Sequence, residues 1–321
     1  MAHRIDTKKI VCLGGGVGTS VLLSGLKKYS PHLSVITSMA DDGGSSGRLR
    51  KAYNIMPPGD IVSCIASLIP ETQKDLKSLL VYRFPGHNMT NKAIDGHKLG
   101  NLIMLAEIQR TGNFYQAIEA TKKLFSVTGD FYPATDERVH LSAITTDGRR
   151  IHSETTLDLA RYAQPHGLKK IYIRPARPKV NPKVVQALED ADVIISGPGD
   201  LYTNQLPVLI VPQIKEALLS SRAKKIFVLN IANKPLVSKG FALSDFVQAI
   251  KDHIGAFPFD TIVANSNYSI PIPRKFDYTY IEIDTLAHDP EVRISKTDLV
   301  AKDFPLYHDA AKLAEAIVKT V

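Results

Sequence analysis

Apolar runs of strand length alternate with helix-like segments in the first part of the chain. Lys8–Gly14 and Leu33–Ala40 are apolar runs, and between them Val17–Lys28 carries apolar side chains at the spacing of one helix face. Alternation of this kind is typical of βαβ units around a parallel sheet. We therefore predict an α/β protein with a Rossmann-like, doubly wound and mainly parallel sheet.

The same alternation returns in the second half of the chain. A helix, a strand and a glycine loop follow one another in the segment 181–199, and strands are predicted at 224–233 and 260–266. Helices are predicted at 206–221, at 244–255 and from about His308 to Val321. These segments extend the predicted βαβ pattern to the end of the chain.

The pattern changes between the two halves. Helices are predicted near Asp75–Phe84, Leu99–Arg110 and Phe114–Phe125, and a β-hairpin that turns at Asp147 and Gly148 follows them. No repeat or linker separates these segments from the rest. We interpret residues 1–321 as a single domain with an elaborated helical and hairpin middle region at about 85–165.

Charge and composition favour some classes of binding partner over others. The formal net charge of +8 and the sequence pI of about 9.2 favour an anionic partner. Nucleic acid is disfavoured because the basic segment 159–188 lacks an aromatic platform. The chain has no apolar run near the ~20 residues of a membrane span, so we expect a cytoplasmic protein without a membrane partner. Cys12 and Cys64 are predicted to be buried and reduced. A homo-oligomer is compatible with the sequence, which does not decide the oligomeric state.

A first glycine loop follows the first predicted strand. Gly14, Gly16 and Thr19 occupy the three positions of a GxGxxG motif, so the third glycine is missing, and no lysine completes a P-loop. A strand, a glycine turn and a helix start can still hold a phosphate on free N–H groups. A plain tight turn is the alternative interpretation.

A second glycine-rich stretch, Ala40–Arg50, follows the second strand. Asp41 lies 23 residues beyond Gly18, near the position where dinucleotide folds place an acid on a ribose. Asp41 or Asp42 could instead hold Mg²⁺ together with phosphates. The neighbouring Ser45, Ser46 and Arg48 are candidate phosphate partners, while a solvated turn is the alternative.

Three further positions are candidates. Asp60 follows Pro57-Pro58-Gly59 and suits a helix N-cap. His97 and Asn101 precede an apolar helix, where a histidine is commonly a capping or buried group. Another glycine loop, Gly197–Gly199, follows a strand, and two such loops could flank the ligand crevice of a doubly wound sheet.

The motifs GGGVGTSVLLSGLKKY, ADDGGSSGRLR, PPGD, GHKLGNL, TGDFYPAT and SGPGDLYTNQLPVLIV together resemble the YvcK-type gluconeogenesis factors of the CofD-like (2-phospho-lactate transferase) family. The resemblance implies a Rossmann-like fold that binds a UDP-sugar and a regulatory role linking carbon metabolism to cell-wall precursor synthesis and cell shape. The implied ligand-binding residues are Gly14, Gly15, Gly16, Gly18, Thr19, Asp41, Asp42, Gly43, Gly44, Ser45, Ser46, Arg48, Asp60, His97, Asn101, Gly197, Gly199, Leu201, Tyr202, Thr203 and Asn230.

The chain departs from that family pattern at three places. Val62 and Ser63 replace an Arg-Asn pair, Asp200 replaces a hydroxyl residue, and a different run follows Asn230. These departures leave the base and the sugar of the ligand open.

Two function classes therefore remain, and no catalytic residue is assigned. The chain is either a nucleotide-sugar-binding regulator without turnover, which the resemblance favours, or a transferase of a phosphate-linked group with Mg²⁺ on Asp41 or Asp42. An NAD-binding protein is a distant third, because the GxGxxG motif is incomplete.

Overall fold

A computed structural model describes residues 5–85, 93–159, 167–235, 237–284 and 291–321. Its strands are β1 (Ile10–Leu13), β2 (Leu33–Thr37), β3 (Asp130–Pro133), β4 (His140–Thr145), β5 (Arg150–Ile151), β6 (Leu168–Arg174), β7 (Val193–Ser196), β8 (Lys224–Val228), β9 (Ala232–Asn233), β10 (Thr261–Asn265), β11 (Thr279–Tyr280) and β12 (Arg293–Thr297).

The helices are α1 (Gly16–Leu26), α2 (Gly44–Tyr53), α3 (Gly59–Leu68), α4 (Lys74–Val81), α5 (Leu99–Thr111), α6 (Phe114–Leu124), α7 (Glu154–Asp158), α8 (Pro182–Glu189), α9 (Leu206–Leu209), α10 (Pro212–Ser220), α11 (Leu243–Ile254) and α12 (Ala310–Val318). Two 3₁₀ turns (Glu71–Gln73 and Arg274–Phe276) and a π-helical turn (Leu201–Gln205) complete the described elements.

Seven strands form one parallel sheet in the order β12-β10-β8-β7-β1-β2-β3. The chain starts at β1, adds β2 and β3 on one side, and then returns to add β7, β8, β10 and β12 on the other. The direction of winding therefore reverses between β1 and β7. This order confirms the predicted doubly wound fold and places a topological switch point, the usual ligand crevice, at the carboxyl ends of β1 and β7.

The centre of the sheet is buried on both faces. All four residues of β1 and of β7 are buried, as parallel strands covered by helices on both faces require. Helices α1, α3 and α12 pack together beside the sheet, and Gly25 lets α1 approach α12 closely, because a Cβ there would lie 2.1 Å from the Ala310 carbonyl oxygen. Cys12 and Cys64 are both buried and free, as predicted, and burial raises the pKa of Cys12 to about 12.

The predicted hairpin is confirmed as β4 and β5. Ile144 pairs with Arg150, and Gly148 takes a φ of 89° in the turn, a conformation that glycine adopts without strain. Strand β6 joins on the other side of β4 to form a separate antiparallel sheet of three strands.

Several sequence predictions were wrong in detail. Strand β3 lies inside the predicted middle region but belongs to the main sheet, and β6 and β12 were not predicted. The predicted helix 206–221 is interrupted before Pro212, which lacks an N–H and begins a new helix. The glycine-rich stretch after β2, for which no helix was predicted, becomes helix α2 from Gly44 onward. The single-domain interpretation stays a prediction. Within the described ranges, none of the helices combines the length and apolar character that a membrane crossing needs.

Candidate functional site

A cavity of about 490 Å³ lies at the carboxyl edge of the sheet, beside the switch point. We call it the carboxyl-edge pocket. The predicted site residues that line it are Asp41, Gly43, Gly44, Ser45, Ser46, Asp60, Asn101 and Thr203. The lining also includes residues that were not predicted, among them Ser63, Arg83, Lys98, Glu154, Asp158 and Asn204.

The first glycine loop lies against Asp60. The Gly16 N–H donates to Asp60 Oδ1 at 3.0 Å, and a Cβ on Gly15 would lie 2.0 Å from Asp60 Oδ2. The predicted capping role of Asp60 was wrong, since Pro58 is the N-cap of α3 and the carboxylate accepts from α1 instead. Thr19 is fully buried beneath the loop, where a Cβ on Gly14 would lie 2.9 Å from Thr19 Oγ1.

The glycine loop Gly197–Gly199 touches the first glycine loop, which begins at Gly14. A Cβ on Gly18 would lie 2.3 Å from the carbonyl oxygen of Pro198, so α1 and this loop meet at a glycine. Asn230 holds the loop by accepting from the Gly199 N–H (3.0 Å) and donating to the Gly199 carbonyl (2.8 Å). A Cβ on Gly197, whose φ is +82°, would lie 2.7 Å from the Val228 carbonyl oxygen. Neither Gly197 nor Gly199 lines the pocket.

The first turn of α2 forms one wall of the pocket. Ser45 Oγ accepts from the Lys98 N–H (3.2 Å) and from Asn101 Nδ2 (3.1 Å), so its own proton points to His97 Nδ1 at 3.0 Å. His97 is therefore neutral, and burial, with Arg48 and Arg83 nearby, lowers its pKa. In the described part of the chain, the buried Asn101 Oδ1 has no hydrogen-bond partner, which leaves an acceptor available to a ligand.

Asp41 and Asp42 have different surroundings. Asp41 lines the pocket and accepts from the Gly43 N–H at 2.9 Å, and burial raises its pKa. Asp42 Oδ1 accepts from the N–H (2.8 Å) and Oγ1 (2.7 Å) of Thr155, while Oδ2 accepts from the Glu154 N–H (3.2 Å). Asp42 therefore anchors the start of α7, and Arg50 fixes the same loop through the carbonyls of Met39 and Asp41.

Carboxyl groups crowd one side of the pocket. Burial and the neighbouring Asp41 raise the pKa of Asp60 to about 7 and the pKa of Glu154 to about 9. Near neutral pH Glu154 is thus protonated and can donate a hydrogen bond. No three acidic, cysteine or histidine side chains in the described ranges are arranged to hold a metal ion. A Mg²⁺ ion here would depend on Asp41 and on phosphate oxygens, since both oxygens of Asp42 are occupied.

Lys98 and Arg83 supply the positive charge. Lys98 Nζ donates to the neutral Ser63 Oγ at 2.8 Å, and no carboxylate of the described residues lies within ion-pair distance of it. Burial and Arg83 lower the pKa of Lys98. The predicted phosphate partner Arg48 is exposed, donates to the Asp95 carbonyl and does not line the pocket.

The departures at Asp200 and after Asn230 meet in space. Asp200 Oδ1 caps the π-helical turn by accepting from the N–H groups of Tyr202 (3.0 Å) and Thr203 (2.9 Å). Lys234 Nζ lies 2.5 Å from Asp158 Oδ1 and 3.6 Å from Asp200 Oδ2. Burial opposes the charge of Lys234, but the two carboxylates outweigh it and raise its pKa. The predicted Leu201 and Tyr202 are buried residues of this turn.

Sequence analysis missed Lys98, Glu154, Asp158 and Lys234. Lys98 stands next to His97 inside a quoted motif, where a cation between two glycines, Gly96 and Gly100, was a usable signal. Glu154 and Asp158 follow the hairpin, and Lys234 follows β9, so only the tertiary fold brings the two acids to the pocket and Lys234 to Asp158.

Comparisons with known proteins agree with this architecture. The family model of 2-phospho-L-lactate transferase CofD matches residues 10–305. The gluconeogenesis factor of Bacillus subtilis (strain 168) is 35% identical over 321 residues, which cover 97% of each chain. A crystal structure of a UPF0052-family protein from Bacillus halodurans has a TM-score of 0.88 at 33% identity, over 97% of this chain and 98% of that chain.

A curated relative from Nostoc sp. (strain PCC 7120) is 41% identical over 252 residues, which make up 78% of this chain and 53% of the relative. The chain thus matches about half the length of that relative.

Proposed function

Because the chain belongs to the CofD family, we propose that its carboxyl-edge pocket binds a UDP-sugar and that the protein is a gluconeogenesis factor without turnover. In this proposal the bound nucleotide sugar reports the supply of cell-wall precursors and links carbon metabolism to cell shape. The family membership supports a small molecule with a phosphate-linked group as the ligand. The pocket supplies the polar and charged groups that would bind it.

The observation that carries the proposal is the state of Lys98. A half-buried ammonium group that donates to a neutral hydroxyl has a lowered pKa, because Asp60 and Asp41 compensate its desolvation only in part. A phosphate group supplies further negative charge. The start of α2, which no side chain of the described residues caps, lines the same pocket as Lys98 and supports an anionic ligand as well, because a helix N-terminus favours anions.

The carboxyl groups are compatible with an anionic ligand. With the pKa of Glu154 raised to about 9, this side chain is neutral and donates to an oxygen acceptor near pH 7. Asp60 is half protonated at the same pH, because its pKa is about 7. Sugar hydroxyl groups could donate to Asn101 Oδ1, the buried acceptor that has no partner among the described residues.

A thermal-shift panel of UDP-sugars tests this proposal. A ligand at one hundred times its Kd should add about 2.7 kcal/mol to the free energy of unfolding. NAD serves as the comparator. A response to NAD and to no UDP-sugar would reject the proposal.

The second candidate is a Mg²⁺-dependent transferase of a phosphate-linked group, as the name of the matched family suggests. The observation in its favour is the crowding of Asp41, Asp60 and Glu154, because a divalent cation relieves carboxylate repulsion as protons do. Asp41 would hold the ion, which would neutralise charge on the transferred group. Incubation with Mg²⁺, nucleotide and candidate acceptors, followed by mass balance of the nucleotide, separates the two candidates. Magnesium-dependent consumption that Asp41→Asn abolishes would establish the transferase.

A further inference from the structure

A second cavity on the same edge of the sheet is lined by tyrosine rings. It has a volume of about 440 Å³ and is lined by Ser266, Tyr268, Tyr280, Glu282, Ile283 and Lys296, which we call the tyrosine pocket. Ser266 follows β10 directly, and Lys296 lies near the carboxyl end of β12. None of these residues lines the carboxyl-edge pocket. Carboxyl ends of parallel strands are the usual place for ligands in this fold.

The two tyrosine rings form a fixed corner. Their centroids are 5.4 Å apart and their planes meet at 88°, an edge-to-face arrangement. Tyr280 donates its hydroxyl proton to the Ile270 carbonyl at 2.6 Å, and Tyr268 donates to the Asn265 carbonyl at 3.2 Å. Because both hydroxyl groups are bound to the backbone, the rings offer their apolar faces rather than their polar ends. Tyr268 is 46% exposed and lines the cavity, so a ligand in the cavity can contact its ring.

Two charged groups of opposite sign border these rings. Glu282 and Lys296 both line the cavity, and among the described residues neither side chain forms an ion pair. A carboxylate can accept from ring N–H groups, and an ammonium can donate to ring carbonyl oxygens. A planar ring with a polar edge can stack on the tyrosine rings and also form hydrogen bonds with Glu282 and Lys296. An aliphatic ligand would leave both charged groups without a hydrogen-bond partner.

Tyr278 connects the surroundings of the two pockets. It immediately precedes β11, and Tyr280 lies two residues further on, about 7 Å along an extended chain. Tyr278 borders the Lys234 cluster, since Asp158, Asp200 and Lys234 all influence its pKa, which burial raises. Asp158 in turn lines the carboxyl-edge pocket. The linings of the two pockets are thus connected through Tyr278 and Asp158.

We propose that the tyrosine pocket is a second binding site, which takes a planar heteroaromatic ring such as a nucleobase. The ring stacks on Tyr268 and meets Glu282 and Lys296 with its polar edge. The ring belongs either to the nucleotide held in the carboxyl-edge pocket or to a separate molecule. The proposal does not depend on the identity of the sugar or on turnover.

Saturation-transfer NMR with uridine, cytidine, adenosine and guanosine tests the site, because nucleosides lack the phosphates that the carboxyl-edge pocket would hold. At least one of the four should bind wild type, and Tyr268→Ala should weaken that binding about tenfold, within the range measured for base stacking. Tyr268→Phe keeps the ring and should bind like wild type. Tyr53→Ala, which removes a tyrosine that is 50% exposed elsewhere, is the matched control.

Adding UDP decides the source of the ring. Displacement of the nucleoside in wild type, weakened in Lys98→Met, assigns the tyrosine pocket to the base of the nucleotide, and simultaneous binding of both assigns it to a separate molecule. Binding of none of the nucleosides, or binding that survives Tyr268→Ala, overturns the proposal. Stabilisation by a UDP-sugar that is equal in wild type and Tyr268→Ala, without nucleoside binding, would leave the proposed function standing and remove only this second site.

Discussion

The two edges of the main sheet carry cavities that differ in volume and in the number of cations. At the amino edge, a groove of about 800 Å³ lies beside the starts of β1, β2 and β3, and its lysines are Lys9, Lys122, Lys123 and Lys183. The carboxyl-edge pocket is smaller, at about 490 Å³, and has fewer cations. Size and number of cations alone would therefore favour the amino-edge groove as the anion site.

The partners of the lysines reverse that ranking. In the amino-edge groove, Lys122 Nζ lies 2.8 Å from Glu119 and 3.8 Å from Asp130, and Lys9 Nζ lies 3.5 Å from Asp190. In the carboxyl-edge pocket, Lys98 donates to a hydroxyl group and its pKa is lowered mainly by burial. Lys123 and Lys183 also have no ion pair among the described residues, but both are exposed, so water already solvates their charge. Lys98 is half-buried and lacks that solvation, so an anion gains more from the charge in the smaller cavity.

The largest expected effect is on ligand affinity. Lys98→Met removes the charge and keeps the length of the side chain, so UDP-sugar binding should weaken about tenfold to a hundredfold, the equivalent of a charge-assisted hydrogen bond worth roughly 1.5–3 kcal/mol. Lys123→Met makes the same change in the amino-edge groove and should leave affinity unchanged. Calorimetry measures both, and a larger loss in Lys123→Met would invert the comparison.

The second effect is on stability and concerns a glycine at each edge. Gly18→Ala places a methyl group 2.3 Å from the Pro198 carbonyl oxygen, and overpacking of this kind costs about 1–3 kcal/mol. Gly129→Ala, at the amino edge, meets the Leu33 carbonyl oxygen at 2.9 Å and has an unfavourable φ of +101°. Both variants should unfold at lower urea concentration, but only Gly18→Ala should also bind UDP-sugar more weakly. Equal affinity in the two folded variants would contradict a binding role for the contact between the glycine loops.

The third effect is on the pH dependence of the free energy of unfolding. The pKa of Glu154 is about 9 in the folded protein against 4.5 ordinarily, so the folded state keeps a proton that the unfolded chain releases. Stability should therefore fall as pH rises from about 5 to 9, and Glu154→Gln should flatten this slope. Tyr132, in the amino-edge groove, has a pKa raised by burial to about 12 and titrates above this window, so Tyr132→Phe should leave the slope intact. Urea unfolding at pH 5, 7 and 9 gives the answer, and an unchanged slope in Glu154→Gln would show that this carboxyl is ionised throughout.

The fold could be predicted further than the site. Strands β1, β2 and β7 are short apolar runs that precede glycine loops, so their type and order follow from local pattern. Strand β3 contains Asp130 and Pro133, and β12, at a sheet edge, has Ile294 as its single apolar residue, so neither shows the apolar run of a central strand. Helix α2 starts at Gly44, whose φ is +49°, and the glycine-rich sequence at this position is not typical of a helix, so no helix was predicted there.

For the site, local sequence identified groups but not their partners. Of the two adjacent aspartates, Asp41 lines the pocket and accepts from the Gly43 N–H of its own loop, whereas Asp42 binds the start of α7. The partner of Asp42 is Thr155, and the partner of Asp60 is Gly16, 44 residues away. Contacts over such separations depend on the packing of whole elements, which a glycine or charge pattern does not contain.

The smallest effect expected concerns one ion pair at each edge. Lys234 is 25% exposed and lies between Asp158 and Asp200, whereas Lys9 is 61% exposed and its ammonium group pairs only with Asp190 among the described residues. Lys234→Met should lower the free energy of unfolding by about 1 kcal/mol, because it leaves two carboxylates without their shared cation. Lys9→Met should change it by less than about 0.5 kcal/mol, as exposed pairs do.

Asp200→Ser distinguishes charge from packing as the cause of the Lys234 effect. Serine keeps an oxygen that can cap the π-helical turn at Leu201–Gln205 but removes the carboxylate that faces Lys234. If carboxylate repulsion causes the loss, Lys234→Met should cost less in the Asp200→Ser background than in wild type, with a coupling of at least about 0.5 kcal/mol in the double-mutant cycle. Additive losses in urea unfolding would instead mean that the aliphatic part of Lys234 stabilises this corner by packing. The two departures from the family pattern would then be independent, and the carboxyl edge would resemble the amino edge in having ion pairs that add little to stability.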